Sequence, residues 1–188
     1  MDAALALYDW NGRATAAAIQ TVGMSEVLVR NAMDAALLDW ARKAGRSDWL
    51  DALPLDARGL ADIVEAKRRV ARLRGRATNR DQIIPELSFG FWRYLAAPRY
   101  LTAIWMPALR NAFPHGHRDS RTRRREVEAR LIRLNATRNR AAHHEPLHRR
   151  DIQADLDAAI DLATWIAPEV GVWVASQSMI PAILAAKP

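Results

Sequence analysis

The chain has no cysteine in 188 residues, and only three of its 28 basic residues are lysine. The missing cysteine excludes a disulfide scaffold, thiolate-bound metal and a cysteine nucleophile. Runs of apolar residues are short: the most apolar late stretch, Leu162 to Ala175, is broken by Pro168 and Glu169. Nothing approaches the roughly 18 apolar residues of a membrane span, so no membrane association is expected. The N-terminus carries Asp2 and no basic leader, which argues against a secretory signal and for a cytoplasmic setting. Clean alternation of apolar and polar residues over five or more positions is also missing, and with it any strong strand signal.

What is present is a length suited to one domain with a real core, and a basic surplus. The formal net charge is +7. A surplus of this kind points to polyanions. The preference for Arg suits phosphate contact, because guanidinium forks bind phosphate bidentately and stack on bases. An Arg-rich and Ala-rich genome gives the same Arg to Lys ratio without any such role. The position of the charge is more informative. Lys67 to Arg80 holds seven basic residues and no acid, and Arg118 to Arg150 holds eleven basic residues against four acids. The remainder of the chain is acidic.

Helical periodicity runs almost throughout. Ala14 to Ala44 reads as one long helix with Ile19, Val22, Val27, Met33 and Leu37 on its apolar positions, and Asn11-Gly12 as a cap or turn before it. Gly45 to Asp56 reads as a loop. Helices are predicted over about Leu60 to Leu73, ending near Gly75, then from a start at Thr78 to Asp81. Further helices follow over Glu86 to Ala96 and over Tyr100 to Ala112, with Pro107 as a kink. Phe113 to Asp119 is a loop. Ser120 to His144 is a long helix capped by Asp119 or Ser120, with Val127, Leu131, Leu134 and Ala141 inward and Pro146 as its stop. Asp151 opens another, on Ile152, Leu156, Ile160 and Ala163. Val170 to Leu184 is predicted to be the last. The fold class is all-α, an up-and-down bundle with extra helices. Trp92, Trp105 and Trp165 fall at helical spacing and are expected in the core.

The segment Asn135 to Arg150 concentrates chemistry. Asn135, Asn139 and His143 are four apart and share a helical face, with Arg138 one step round. An imidazole, a fixed positive charge and two amides suit phosphodiester transesterification on RNA. The His can move the 2′-OH or leaving-group proton, and the Arg can stabilise the phosphorane. A helix C-terminus accounts for the same residues: His143 and His144 complement the dipole and Pro146 ends the helix. His115 and His117 flank Gly116, but two His without a third ligand make a weak metal site. No cofactor and no metal are expected.

Arg138-Asn139-Arg140-Ala141-Ala142-His143 resembles the Arg-Asn-x-x-x-His motif of HEPN ribonuclease domains, and the wider string through Pro146 resembles their Abi-like (abortive infection) branch. Further blocks follow in the family's order: Tyr8-Asp-Trp10-Asn11, Glu26-Val-Leu-Val-Arg30-Asn31, Leu87-Ser-Phe-Gly-Phe-Trp92 and Trp105 to Pro114. They span residues 8 to about 150, leaving 151–188 as C-terminal packing helices of a single domain. The resemblance implies a HEPN-like helical bundle, usually a homodimer, acting as a metal-independent RNase in toxin–antitoxin or phage defence. It also implies restraint by a noncoding RNA or another antitoxin. Carried over, Arg138 and His143 are the catalytic pair and Asn139 orients them. His144, Asn135, Glu26, Arg30 and Asn31 are accessory. A Glu26–Arg30 pair at i,i+4 explains that block equally well.

The chain has a single Arg-Asn-x-x-x-His, so a complete site of this kind needs a second copy. The expected RNA-binding surface comprises Arg68, Arg69, Arg72 and Arg76 in the Lys67 to Arg80 segment. It continues with Arg121, Arg123, Arg124 and Arg125 at the start of the Ser120 to His144 helix, plus Arg140. Positive charge at a helix N-terminus opposes the dipole, which suggests a partner anion there. The expected function is metal-independent RNA cleavage. The other functional class is a non-catalytic protein that holds a structured RNA, and a third is a helical adaptor for an acidic antitoxin.

Overall fold

The computed structural model describes residues 3–74 and 79–188. The protein is all-α, and no strand occurs among the described residues. The α-helices are α1 (Ala3–Lys43), α2 (Ala57–Arg74), α3 (Arg80–Ile83), α4 (Phe89–Leu95), α5 (Ser120–Ala142), α6 (Ile152–Ile166), α7 (Pro168–Gln177) and α8 (Ile180–Ala185). None of them is long and apolar enough to cross a membrane. The chain divides into two compact units. One comprises Met1–Leu28, Phe113–Gly116 and Glu126–Pro188; the other comprises Val29–Ala112 and His117–Arg125.

Short polar side chains set where the helices begin. Asp56 accepts the Gly59 N–H at 3.0 Å before α2, and Asn79 and Gln82 form a reciprocal capping box at α3. Ser88 accepts the Phe91 N–H at 3.2 Å, Asp119 accepts the Thr122 N–H at 2.8 Å, and Asp151 accepts the Ala154 N–H at 2.9 Å. Each satisfies a backbone donor that the helix cannot satisfy itself. The Thr122 N–H also holds the Asp119 carboxyl below its ordinary range.

The first unit is built around α1, α6 and α8. Trp10, Ala14, Ala17 and Ala18 bury against Leu147, Ile152, Leu156 and Ile180. The Trp10 indole donates to the Ile183 carbonyl at 2.7 Å, so its one polar atom is satisfied. Val127, Leu131, Leu134 and Ala141 are all buried, as their spacing predicts. Helix α6 packs on α7 at Gly171, where a β-carbon would collide with the Thr164 side chain.

The second unit has an aromatic centre. Trp49, Phe91 and Trp92 are fully buried, with ring centroids 5.4–6.3 Å apart. The Trp49 indole donates to Asp34 at 2.8 Å, and Asp34 also pairs with Arg80. Trp105 is buried and donates to the Ser120 carbonyl at 2.9 Å.

Several expectations are corrected. Helix α1 starts well before Ala14 and runs straight through Asn11-Gly12. Ile19 and Val27 face solvent, at 47% and 44% exposure, whereas Val22, Met33 and Leu37 are buried as their spacing predicts, on the same helix as Ala14, Ala17 and Ala18. Helix α4 starts only after Ser88, and the segment 101–112 is a π-turn and a 3₁₀ turn around Pro107 instead of an α-helix. The last helix is two, α7 and α8, separated at Ser178-Met179, with Pro181 in the first turn of α8. Trp165 is only half-buried and lies under the Arg130 guanidinium, 4.3 Å from its ring centroid. Gly75 and Thr78 lie outside the described residues.

Asp56 is the most heavily engaged carboxylate in the second unit. It accepts the Tyr94 hydroxyl at 2.6 Å and pairs with Arg99, in addition to capping α2. The Tyr94 hydroxyl, then the Gly59 N–H, holds its carboxyl well below the usual range, while burial pushes the neighbouring Tyr100 hydroxyl up to about 12. A carboxylate with a depressed folded pKa stabilises the fold above its unfolded pKa, near 3.9, and that contribution is lost as pH falls through the folded value. Thermal unfolding from pH 7 to pH 2 is expected to show a steep acid limb below about pH 4. In Asp56→Asn, which can still cap α2, the limb is shallower and the neutral-pH melting temperature lower.

Candidate functional site

The Arg-Asn-x-x-x-His segment occupies the C-terminal end of α5. Arg138, Asn139 and His143 are all exposed, and Asn135 is half-buried one turn earlier. The Arg138 guanidinium makes one loose contact, to the Asn139 amide oxygen at 3.5 Å. The backbone continues the helical pattern past Ala142, with the His143 N–H donating to the Asn139 carbonyl at 3.0 Å. His143 therefore sits four residues from Asn139 and three from Arg140, within reach of both.

The helix then ends in a defined cap. The Glu145 N–H bonds the Arg140 carbonyl at 2.8 Å, and the His144 N–H bonds the Ala141 carbonyl at 3.2 Å. Together these make a Schellman motif, with His144 as its left-handed residue at φ 56°. Helix α1 ends in the same way: the Arg46 N–H bonds the Ala41 carbonyl, the Gly45 N–H bonds the Arg42 carbonyl, and Gly45 has φ 70°. Glycine is the usual residue there because a β-carbon is strained at positive φ. Two helices thus use one device, and the copy beside Arg138 and His143 carries an imidazole where the other carries a hydrogen atom.

The imidazole of His144 lines a cavity of about 230 Å³ together with Tyr8, Asn11, Gly12 and Thr15 of α1. Tyr8 is 78% exposed. The Asn11 side chain accepts the Leu147 N–H at 2.7 Å and so ties the loop after α5 to α1. This explains how α1 passes Asn11-Gly12 unbroken: the amide that could cap a helix is used on a distant backbone donor. The N-terminal block and the Arg-Asn-x-x-x-His block therefore meet in one place.

The accessory residues Glu26, Arg30 and Asn31 lie on α1. Glu26 belongs to the first unit, while Arg30 and Asn31 belong to the second, where the Arg30 Nε donates to Asn31 at 3.4 Å.

The expected RNA-binding arginines divide sharply. Arg124 is 6% exposed and donates to the Ala96 carbonyl at 2.6 Å, so it is a structural group and leaves the set. Arg123 donates to the carbonyls of His117 and Arg110 at 2.7 and 3.1 Å and fastens the preceding loop. Backbone carbonyls thus face these two charges at the start of α5. Arg125 bonds Thr122, and Arg121 is exposed. Arg69 is tied to Glu86 and Glu65, whereas Arg68 and Arg72 are exposed on α2. Arg76 lies outside the described residues. His117 accepts the Asp119 N–H through Nδ1 at 3.0 Å within its loop. Among the described residues no group of three or more His, Asp or Glu is placed to hold a metal ion.

Sequence reasoning missed Arg133, Arg149 and Arg150. With Arg140, Pro146 and Asp151 they line a second cavity, of about 310 Å³. The signal was the Arg149-Arg150 pair soon after Pro146, close behind an arginine already placed on the helix. Comparison with protein-family models, curated proteins and solved structures gives no match for this chain.

The unusual backbone at His144 generates a test. His144→Gly removes the positive-φ strain and is expected to stabilise the protein by roughly 1 kcal/mol in chemical denaturation. If the imidazole serves the site, the same variant loses RNA binding or cleavage while becoming more stable. Unchanged RNA activity would assign His144 to the helix cap alone.

Proposed function

We propose that the protein is an Abi-like HEPN endoribonuclease that cleaves RNA by attack of a 2′-OH on the adjacent phosphodiester. The observation that carries this reading is that Arg138, Asn139 and His143 stand together, exposed, at the end of α5. No ion pair fixes Arg138 among the described residues, and the cavity of Tyr8, Asn11 and His144 lies on the same cap. Exposed groups with no packing duty are free for chemistry in a way that buried ones are not.

In the proposed reaction the 2′-oxygen forms a bond to phosphorus and the bond to the 5′-oxygen breaks. The products are a 2′,3′-cyclic phosphate and a 5′-OH. His143 takes the 2′-OH proton, and a second imidazole delivers a proton to the leaving oxygen. That second group is His143 of a second copy, which is why the reading includes a homodimer. Arg138 stabilises the added charge on the phosphorane oxygens, and Asn139 positions Arg138. The chemistry requires no cofactor. As a toxin-type nuclease the protein has an antitoxin, of RNA or protein, and acts in the cytoplasm.

The test is incubation of the full chain with structured RNA, followed by end-group analysis. The expected result is cyclic-phosphate ends formed equally well in EDTA. His143→Ala is expected to lower the rate by about 10²–10⁴-fold with stability changed by less than about 0.5 kcal/mol, as befits an exposed position. Full activity in His143→Ala, or cutting that stops in EDTA and returns with Mg²⁺, overturns the assignment. RNA that is bound tightly but left intact favours the non-catalytic RNA-binding class, for which the arginine-lined second cavity is the supporting observation.

A further inference from the structure

The second cavity is a built structure and not a chance gathering of side chains. Two of its lining arginines share the Asp155 carboxylate, 2% exposed, which accepts two bonds from Arg150 at 2.6 and 2.8 Å. Arg133 Nε lies 2.7 Å from the same carboxylate. Arg150 also bonds the Thr137 hydroxyl at 3.0 Å and the Arg133 carbonyl at 3.1 Å, and Arg133 bonds the Asp151 carbonyl at 2.7 Å. Two guanidiniums are thereby held rigid. Arg140 and Arg149 stand at the rim, both exposed.

The carboxylates nearby, Asp155, Asp151 and Glu145, offset part of the charge of the four arginines and leave a positive surplus. Asp155 is buried beneath two arginines, and Asp151, which lines the cavity, keeps its charge while capping α6. Glu145 lies 3.3 Å from Arg140, but both side chains are about half exposed, and an exposed pair of that kind is weak and easily replaced. Arg149 has no ion pair or hydrogen bond among the described residues. Four guanidiniums thus line or support one concavity, with one of them unengaged. Convergent guanidinium forks, two anchored and two open to solvent, suit the recognition of a phosphate group.

Its position gives the occupant. Arg140 lies three residues before His143 on the same helical end, so the cavity is within one turn of the imidazole. We propose that the cavity of Arg133, Arg140, Arg149 and Arg150 binds a backbone phosphate of RNA, adjacent to the phosphate presented to Arg138 and His143. This rests on the RNA reading above and adds to it a subsite that fixes the register of the strand. Arg133 and Arg150 support the pocket, and Arg149 and Arg140 contact the anion.

The experiment measures binding of a 2′-O-methyl RNA, which lacks the attacking hydroxyl and so separates binding from cleavage. Fluorescence anisotropy of the full chain is recorded from 50 to about 300 mM salt, a range over which phosphate contacts are strongly screened. Arg149→Gln and Arg140→Gln are made because both positions are exposed, and unchanged melting temperatures confirm their folding. The expected result is affinity lower by roughly tenfold for each variant, with a salt slope shallower by about 0.7 for each phosphate that is no longer neutralised. If the wild type binds and both variants match it in affinity and slope, the subsite is refuted while the RNA reading stands. If the wild type itself binds no RNA, the RNA reading falls and the subsite with it.

Discussion

A carboxylate cannot be buried alone without a large penalty, and Asp155 of α6 is buried almost completely. Arg133 from α5 and Arg150 from the loop before α6 supply the compensation. That single constraint fixes how α5, its C-terminal cap and the following loop are placed in the first unit. Breaking such a buried pair generally costs about 3–5 kcal/mol, more than most surface features of a chain this size contribute. The loop from Glu145 to Arg150 is therefore held at two points. Arg150 locks it to Asp155, and Asn11 locks it to α1 through the Leu147 N–H. A loop fixed in this way can carry exposed side chains in constant geometry, as a binding site requires.

The same arginines change the meaning of the basic surplus. Many of the charges in the two basic segments are already answered within the fold. Lys67 meets Asp51, Arg69 meets Glu86, Arg80 meets Asp34 and Asp48, and Arg130 meets Asp161. Arg123 and Arg124 reach backbone carbonyls, which a guanidinium can do in two directions at once and an ammonium cannot match in geometry. The preference for Arg over Lys thus has a structural cause in addition to composition. Each ion pair removes one positive and one negative charge together, so the net value is unchanged and the surplus resides on cations without a carboxylate partner, which in the first unit include Arg138 and Arg149.

Much of the fold was legible because helical periodicity and capping residues are local signals. The inner faces of α5 and α6 followed from spacing, and Asp119 and Asp151 announced the helices that begin at the next residue by accepting the N–H three positions on. The failures have physical reasons. The burial of α1 runs on Ala14, Ala17 and Ala18 as well as Val22, Met33 and Leu37, so apolar size alone misplaced Ile19 and Val27. Asn11-Gly12 looked like a boundary because the partner of its amide lies 136 positions away. The break between α7 and α8 falls at Ser178, whose hydroxyl lies 3.1 Å from that of Thr21, again a partner far along the chain. The left-handed cap at His144 was hidden because its residue type does not signal it, whereas Gly45 at the end of α1 does.

The blocks that resemble the Abi-like family can now be separated by what their side chains do. Trp10 and Asn11 pack and tether. Leu87 to Trp92 is a helix cap followed by core aromatics, and Trp105 is buried on the Ser120 carbonyl. For these, the demands of folding are explanation enough. Arg138, Asn139 and His143 are different. They are exposed, they are loosely engaged, and they follow a buried stripe that would be equally satisfied by other polar residues at those positions. His144 goes further, since its backbone would be less strained as glycine. Side chains that folding does not need, at a cap whose geometry folding fixes firmly, set the end of α5 apart from the other blocks.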